Sequence, residues 1–304
     1  MALAAGLIGF LFLLWSEVFL RTRVAAVSPY YLQQRLFQQL EKVPAVLIGD
    51  SHTSQDVLAS ENVLNFGLAG ENIPQMRQKL QFLLEKHPEI QSVILQASPH
   101  MFAEYRYSTK GRRDYGTLLA GAPQSYMWSD SYLRERLGWY VRQYFSKGSL
   151  ELSGEFSDYG SLLSDHKMSE PKDAKAEETI RKRVQEHRVT RPLTQSPHFQ
   201  AYREMLDLLR QRNIAVCMVE YPVAPIHRRM TSDMAPEFAE IRLAFRNLAS
   251  EFHTTYTSYW STINDYSYFR NADHLNRDGA ALLTPMILRD CGITRIRQAR
   301  AAAG

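Results

Sequence analysis

Two short polar segments hold residue types that can do chemistry together. Gly49-Asp50-Ser51-His52-Thr53 follows directly on the apolar run Pro44 to Ile48, and Asn271-Ala272-Asp273-His274-Leu275-Asn276 stands just before the last amphipathic stretch. A serine at a strand-to-helix turn can present its hydroxyl beside a base, close to helix N-terminal amides that favour an oxyanion. A histidine on a late loop can be that base, and a short polar residue just before it can fix the imidazole tautomer. The pattern is therefore compatible with nucleophilic catalysis in which Ser51 stands beside a base that His274 can supply. The serine comes first and the histidine last, and Thr53 stands where the second glycine of a Gly-x-Ser-x-Gly elbow would be. Both points argue against an ordinary α/β-hydrolase.

Each of these residues has a plainer use. Ser51 could cap the helix that follows, and His52 reads as a structural loop residue. Asp50, His52, His100, Asp273 and His274 are types that zinc or manganese accepts, but no His-x-x-x-His spacing supports a metal, and neither metal nor cofactor is expected. His227-Arg228-Arg229 reads as a solvated basic loop, and the charged run Lys172 to Arg188 as a solvated helix face. The aromatic residues Tyr105, Tyr107, Tyr115, Tyr126, Trp128, Tyr132, Trp139 and Tyr140 fit either a sugar-stacking groove or packing onto a sheet edge.

The elements that must position the two polar segments follow from hydrophobic patterning. Continuously apolar runs at 44–49, 63–66, 92–95 and 214–219, with a weaker one at 254–259, predict strands. Amphipathic stretches at 28–42, 73–86, 198–212, 235–252 and 277–291 predict helices. Strands apolar on both faces that alternate with helices imply a parallel sheet covered on both sides, a three-layer α/β/α sandwich. The pattern is interrupted from about 101 to 195, which reads as one long insertion after the third strand in a domain of residues 25–304.

The chain has 304 residues, 45% of them hydrophobic, with 36 Lys+Arg against 32 Asp+Glu. This is enough for a large core and excludes disordered, collagen-like and coiled-coil classes. A net charge of +4 without a basic block gives a nucleic-acid partner no support. Ala2 to Trp15 is uninterruptedly apolar and resumes at Val18-Phe19-Leu20 before Arg21 and Arg23, about one bilayer span at ~20 residues. No cleavage site follows, so residues 1–24 are expected to be an uncleaved transmembrane anchor, and the arginines behind it would by the positive-inside rule keep the body in the cytoplasm. Cys217 and Cys291 allow at most one disulfide, match no metal-ligand spacing and read as two buried thiols.

The chain resembles the SGNH (GDSL-like) hydrolase superfamily in three motifs: Gly49-Asp50-Ser51-His52 after a strand, Gly70 after the second strand, and Asp273-His274-Leu-Asn-x-x-Gly279-Ala280 before the terminal helix. The likeness covers roughly residues 43 to 100 and 213 to 291, outside the insertion. With the N-terminal stretch it is similar to the membrane-anchored type that modifies bacterial cell-envelope polysaccharides. The resemblance implies a flavodoxin-like sheet, catalytic Ser51 and His274, oxyanion donors at the backbone N–H groups of Ser51 and Gly70, and O-acetyltransferase or acetylesterase activity on envelope polysaccharide esters. It further implies an acylated glycan or acyl donor as partner, a membrane-bound O-acyltransferase beside it, and an inner-membrane protein with an extracytoplasmic catalytic domain. Two positions depart from the family pattern. Asn271 stands where an aspartate three residues before the histidine is usual, so Asn271 or Asp273 orients His274, and Asp50 is a supporting candidate. Ala97-Ser98-Pro99-His100 replaces the Gly-x-Asn-Asp that carries an asparagine oxyanion donor, leaving Gln96, Ser98 or His100 to substitute. Those departures motivate the other reading, a non-catalytic glycan-binding or scaffold protein.

Overall fold

The structure, a computed structural model, describes residues 2–38, 43–107, 131–150, 154–171 and 173–293. Helix α1 (Ala2–Phe19) runs into a π-helical turn, Leu20–Val24, then into α2 (Ala25–Val27) and α3 (Pro29–Gln38). The alternating part follows as β1 (Ala45–Ile48), α4 (Ser51–Asp56), β2 (Val63–Asn65), α5 (Ile73–Lys86) and β3 (Ser92–Gln96). Between β3 and the next sheet element lie two 3-10 turns, Pro99–Phe102 and Glu104–Tyr107, then α6 (Ser131–Lys147), a small hairpin of β4 (Glu155–Phe156) and β5 (Leu162–Leu163), and α7 (Ala174–Glu186). The alternation resumes with α8 (Pro197–Gln211), β6 (Ala215–Glu220), α9 (Pro225–Met230), α10 (Ala235–Glu251), β7 (Thr255–Ser258) and α11 (Arg277–Asp290).

All five expected strands are present and pair in parallel in the order β2-β1-β3-β6-β7. Successive side chains point to opposite faces, and the two cores divide accordingly. Val46, Ile48, Val93 and Leu95 pack against α5, α8 and α10 through Leu80, Leu206 and Phe245. Ala45, Leu47, Ile94 and Val219 pack against α9 and α11 through Ile226, Leu283 and Ile287. This is the three-layer arrangement expected. The strand order reverses between β1 and β3, so the connections leaving those two strands diverge and open a crevice at their carboxyl ends, where open parallel sheets hold their ligands.

The N-terminal expectation is corrected. Among the described residues no helix is long and apolar enough to cross a membrane. Helix α1 has 18 residues, about 27 Å at 1.5 Å per residue, short of a ~30 Å hydrocarbon layer. The apolar residues that seemed to complete the span belong to the domain instead: Phe19, Leu20 and Val24 pack with Tyr31, Leu68 and Tyr140. The inner-membrane placement expected from an anchor loses its basis with it. The cysteine expectation is corrected as well: Cys217 on β6 and Cys291, at the end of α11, are joined in a disulfide.

Candidate active site

The Ser51 turn is held from three sides. Asp50 caps α4, its Oδ1 accepting from His52 N at 2.9 Å, and Asp50 N donates to Gln96 Oε1 at the end of β3 at 2.7 Å. The loop after β2 presses on the same turn, and only glycine fits there: a Cβ on Gly67 would lie 2.9 Å from Asp50 O and 2.5 Å from Ser54 N. Ser51 is buried rather than exposed, and among the described residues its hydroxyl has no hydrogen-bond partner. The other end of α4 grips the second polar segment, because Asp56 Oδ1 accepts from Leu275 N at 2.8 Å.

His274 is oriented by both residues that the sequence left as alternatives. Its Nδ1 lies 3.1 Å from Asn271 Oδ1 and 3.1 Å from Asp273 Oδ1. Asn271 Oδ1 also accepts from the backbone N–H of His274 at 2.9 Å, so the asparagine shapes the turn while the carboxylate supplies charge. With Nδ1 donating, Nε2 is the open basic nitrogen, and it is buried without a partner. Burial outweighs the pull of Asp273 and lowers the His274 pKa, which keeps the ring neutral. Asp273 itself is fully buried; His274, His187 and Arg183 overcome that burial and hold its carboxyl well below the usual range.

A second imidazole lies against the first. The His52 ring stacks on His274 with centroids 4.5 Å apart, and its Nδ1 sits 3.2 Å from Asp50 Oδ1. Its Nε2 is also buried without a partner. The far oxygen of Asp50 receives His100 Nε2 at 2.9 Å and the Arg106 guanidinium. Burial works against charge on both members of the Asp50–His52 pair, yet Arg106 and the neighbouring histidines hold Asp50 well below its ordinary value, and Asp50 raises the pKa of His52. The His100 ring lies tilted against His52 at 4.3 Å and stacks on His187 at 5.0 Å, and His187 Nδ1 meets His227 Nε2 at 3.1 Å.

Three plainer readings are refined here: the solvated helix face, the solvated basic loop and the structural loop role of His52. Helix α7 does carry a charged outer face, but Arg183 Nε reaches Asp273 Oδ2 at 3.1 Å, and His187, just past the helix, is buried 3.6 Å from the same oxygen. His227 is buried in α9, and Arg228 donates to Val223 O at 2.6 Å instead of facing an anion. His52 is no bland loop residue. Of the aromatic residues, Tyr107 stacks on His198 at 4.1 Å and Tyr140 packs in the N-terminal cluster, while Trp139 is exposed; Tyr115, Tyr126, Trp128 and the Tyr132 side chain lie outside the described residues. Gly70 has a left-handed φ of 80° and open space around it. Gln96 and His100 are engaged with the Asp50 loop, so neither stands free as the substitute donor.

Asp50/His52/His100 and His52/Asp273/His274 each bring one ligand atom per residue within 4.8 Å of one another. Arg106 and Arg183 occupy the carboxylates of the two groups. A guanidinium in that place neutralises the charge a cation would need, so the geometry fits ion pairing better than metal binding.

The buried neutral histidines make the fold sensitive to acid. Burial, with His52 nearby, takes His100 down to about 3; burial takes His227 down to about 4 and places His187 well below its ordinary value. The unfolded chain then binds more protons than the folded one below pH 6.5, so stability falls as pH drops from 6.5 toward 4. For His227 alone the loss is about 3 kcal/mol by pH 4. Asp56, whose value is raised, offsets part of it, whereas the contribution of the raised His52 value is already complete below pH 6.5. Urea unfolding at pH 7 and pH 4.5 should show a markedly lower midpoint in acid; equal midpoints would contradict this ionisation pattern.

No family model matches the chain, and no curated protein matches it. Among solved structures it is similar to a Bacteroides fragilis protein whose acylhydrolase activity is an assignment, with 10% identity over 87% of this chain and 95% of that one, at a TM-score of 0.44. It is also similar to a GDSL-like lipase from Bacteroides thetaiotaomicron, with 10% identity over 90% and 98% of the two chains and a TM-score of 0.39.

Proposed function

We propose that the protein is a serine-dependent acyl-ester enzyme, with Ser51 as nucleophile, His274 as general base and Asp273, assisted by Asn271, orienting it. The observation that carries this reading is the arrangement of His274: Nδ1 is tethered to a buried carboxylate, and Nε2 is left open on the loop that α4 pins beside the Ser51 turn. In the reaction Ser51 Oγ attacks the acyl carbonyl carbon while its proton passes to His274 Nε2. The intermediate expels the alcohol, which takes that proton, and leaves an acyl-serine. Water or a second hydroxyl then attacks the acyl-serine, again deprotonated by His274. Backbone N–H groups of Ser51 and Gly70 are the proposed oxyanion donors. The substrate class favoured by the sequence resemblance is an O-acetylated polysaccharide, with a glycan hydroxyl as the acceptor in transfer.

The test is release of acetate from a chromogenic acetyl ester by the full chain, with and without an oligosaccharide acceptor. Turnover supports the acyl-ester reading, and acetylated oligosaccharide as product supports transfer. No turnover by folded protein on any acetyl ester would sink it.

Arg183 is a positioning residue in this scheme, since it acts only through Asp273 Oδ2. Its removal takes away one of the charges that hold Asp273 ionised. Arg183→Met is expected to lower kcat/KM on the order of tenfold, equivalent to about 1.4 kcal/mol, and to shift the acid limb of the rate profile. Arg183→Lys should restore part of both. A purely structural arginine would change thermal stability without moving that limb.

A further inference from the structure

The geometry points to His52 as a further catalytic residue, an imidazolium whose Nε2–H stabilises the oxyanion formed when Ser51 attacks. This rests on the serine-nucleophile reading above. Three observations bring it forward. His52 is adjacent to Ser51 in the chain, and its ring lies 4.5 Å from the ring of His274. Its Nδ1 is 3.2 Å from Asp50 Oδ1, which reproduces around Ser51 the carboxylate tether seen at His274. Its Nε2 is buried and among the described residues has no hydrogen-bond partner, an arrangement that is costly unless a ligand atom completes it. The asparagine donor that the family resemblance implies after β3 is absent; of its three possible replacements Gln96 and His100 are turned onto Asp50, while the Ser98 hydroxyl is buried and, among the described residues, has no partner.

Both histidines are tethered through Nδ1 to a buried carboxylate, His274 with Asn271 in addition; their tasks are opposite, and the charges around them separate the roles. His52 is surrounded by Asp50 and Asp56 from its own turn and helix and by Asp273 from the last loop, which together favour its charged form. His100, His227 and His274 face it as neutral rings held so by burial, and Tyr221 stacks at 6.5 Å. A tethered neutral His52 would present a bare lone pair at Nε2 and could not donate; the imidazolium can. When Ser51 Oγ bonds to the carbonyl carbon, the π pair moves to the carbonyl oxygen, which accepts from His52 Nε2–H, while the serine proton goes to His274. Collapse returns the pair to the carbonyl and expels the alcohol, so His52 neither gains nor loses a proton over the cycle.

The sign of the pH dependence follows. Activity needs His274 neutral and His52 charged, so kcat/KM of the full chain should rise through a value below 6.5 and fall again through one above it. His52→Ala should lose about 100- to 1000-fold, the usual cost of one oxyanion donor. His52→Gln keeps an N–H donor without a titrating charge, so it should recover part of the rate and abolish the alkaline fall. The experiment is the pH profile of kcat/KM on a chromogenic acetyl ester for wild type, His52→Ala, His52→Gln and Ser51→Ala. If Ser51→Ala is inactive while His52→Ala stays within a few-fold of wild type, or if His52→Gln keeps the alkaline fall, the inference is overturned and the serine mechanism stands. An inactive, folded wild type overturns both. The wild-type profile needs no variant to fold, and a flat alkaline side would by itself count against His52.

Discussion

Ser51→Ala and His274→Ala should each lower kcat/KM for an acetyl ester by on the order of 10⁴- to 10⁶-fold, the range found when a nucleophile or its base is removed from a serine enzyme. Ser51→Ala should cost little stability, since among the described residues the hydroxyl has no hydrogen-bond partner; His274→Ala should cost more, because the buried ring is bonded through Nδ1, stacks on His52 and helps hold Asp273 ionised. The double variant should be no worse than either single one, because residues acting as a unit are strongly non-additive. Steady-state rates together with thermal melts check this. Variants that keep a tenth of wild-type activity while folded would remove Ser51 or His274 from the mechanism.

The second large effect is on stability. The disulfide closes a loop of 74 residues, and a loop of that length contributes about 4 kcal/mol in the chain-entropy account. That loop contains α9, α10, β7 and the whole His274 segment, with β6 at one end and the end of α11 at the other. Reduction, or Cys217→Ser with Cys291→Ser, should therefore lower the urea midpoint strongly. It should also loosen the α11 end of the loop that presents His274, so activity should fall at temperatures where the domain is still folded. Equal unfolding midpoints with and without reductant would show that the cross-link adds nothing.

The sheet was readable in the chain because its central strands β1, β3 and β6 are largely apolar runs, buried throughout in β1 and β3, while the edge strand β7 (Thr-Tyr-Thr-Ser) gave only a weak signal. The Ser51 segment was readable because it sits where such a run ends, and the His274 segment because it stands just before the last amphipathic stretch. The polar support of the site was not. Helix α7 reads as solvated since hydrophobic periodicity reports apolar contacts only, and its contribution is an ion pair from Arg183 to Asp273 and a buried His187 at its end. His227 was hidden among two arginines for the same reason. The apolar N-terminus looked like a span because composition cannot tell that Phe19, Leu20 and Val24 are taken up by the domain. The cysteine pairing was invisible because two positions so far apart in sequence become neighbours only once α11 docks beside β6. His52 carried one signal that could have been used: Asp50-Ser51-His52 places a carboxylate two residues before an imidazole, the same local tether that Asp273 provides from one residue away.

The central claim is that Ser51 is an activated nucleophile, and covalent labelling tests it most directly. The folded protein would be treated with a serine-reactive phosphonate, digested and mapped by mass spectrometry. The account predicts one adduct, on Ser51, that is absent in Ser51→Ala and forms far more slowly in His274→Ala. A folded protein that takes up no label, or takes it up on another residue, would contradict the account and favour a glycan-binding or scaffold role.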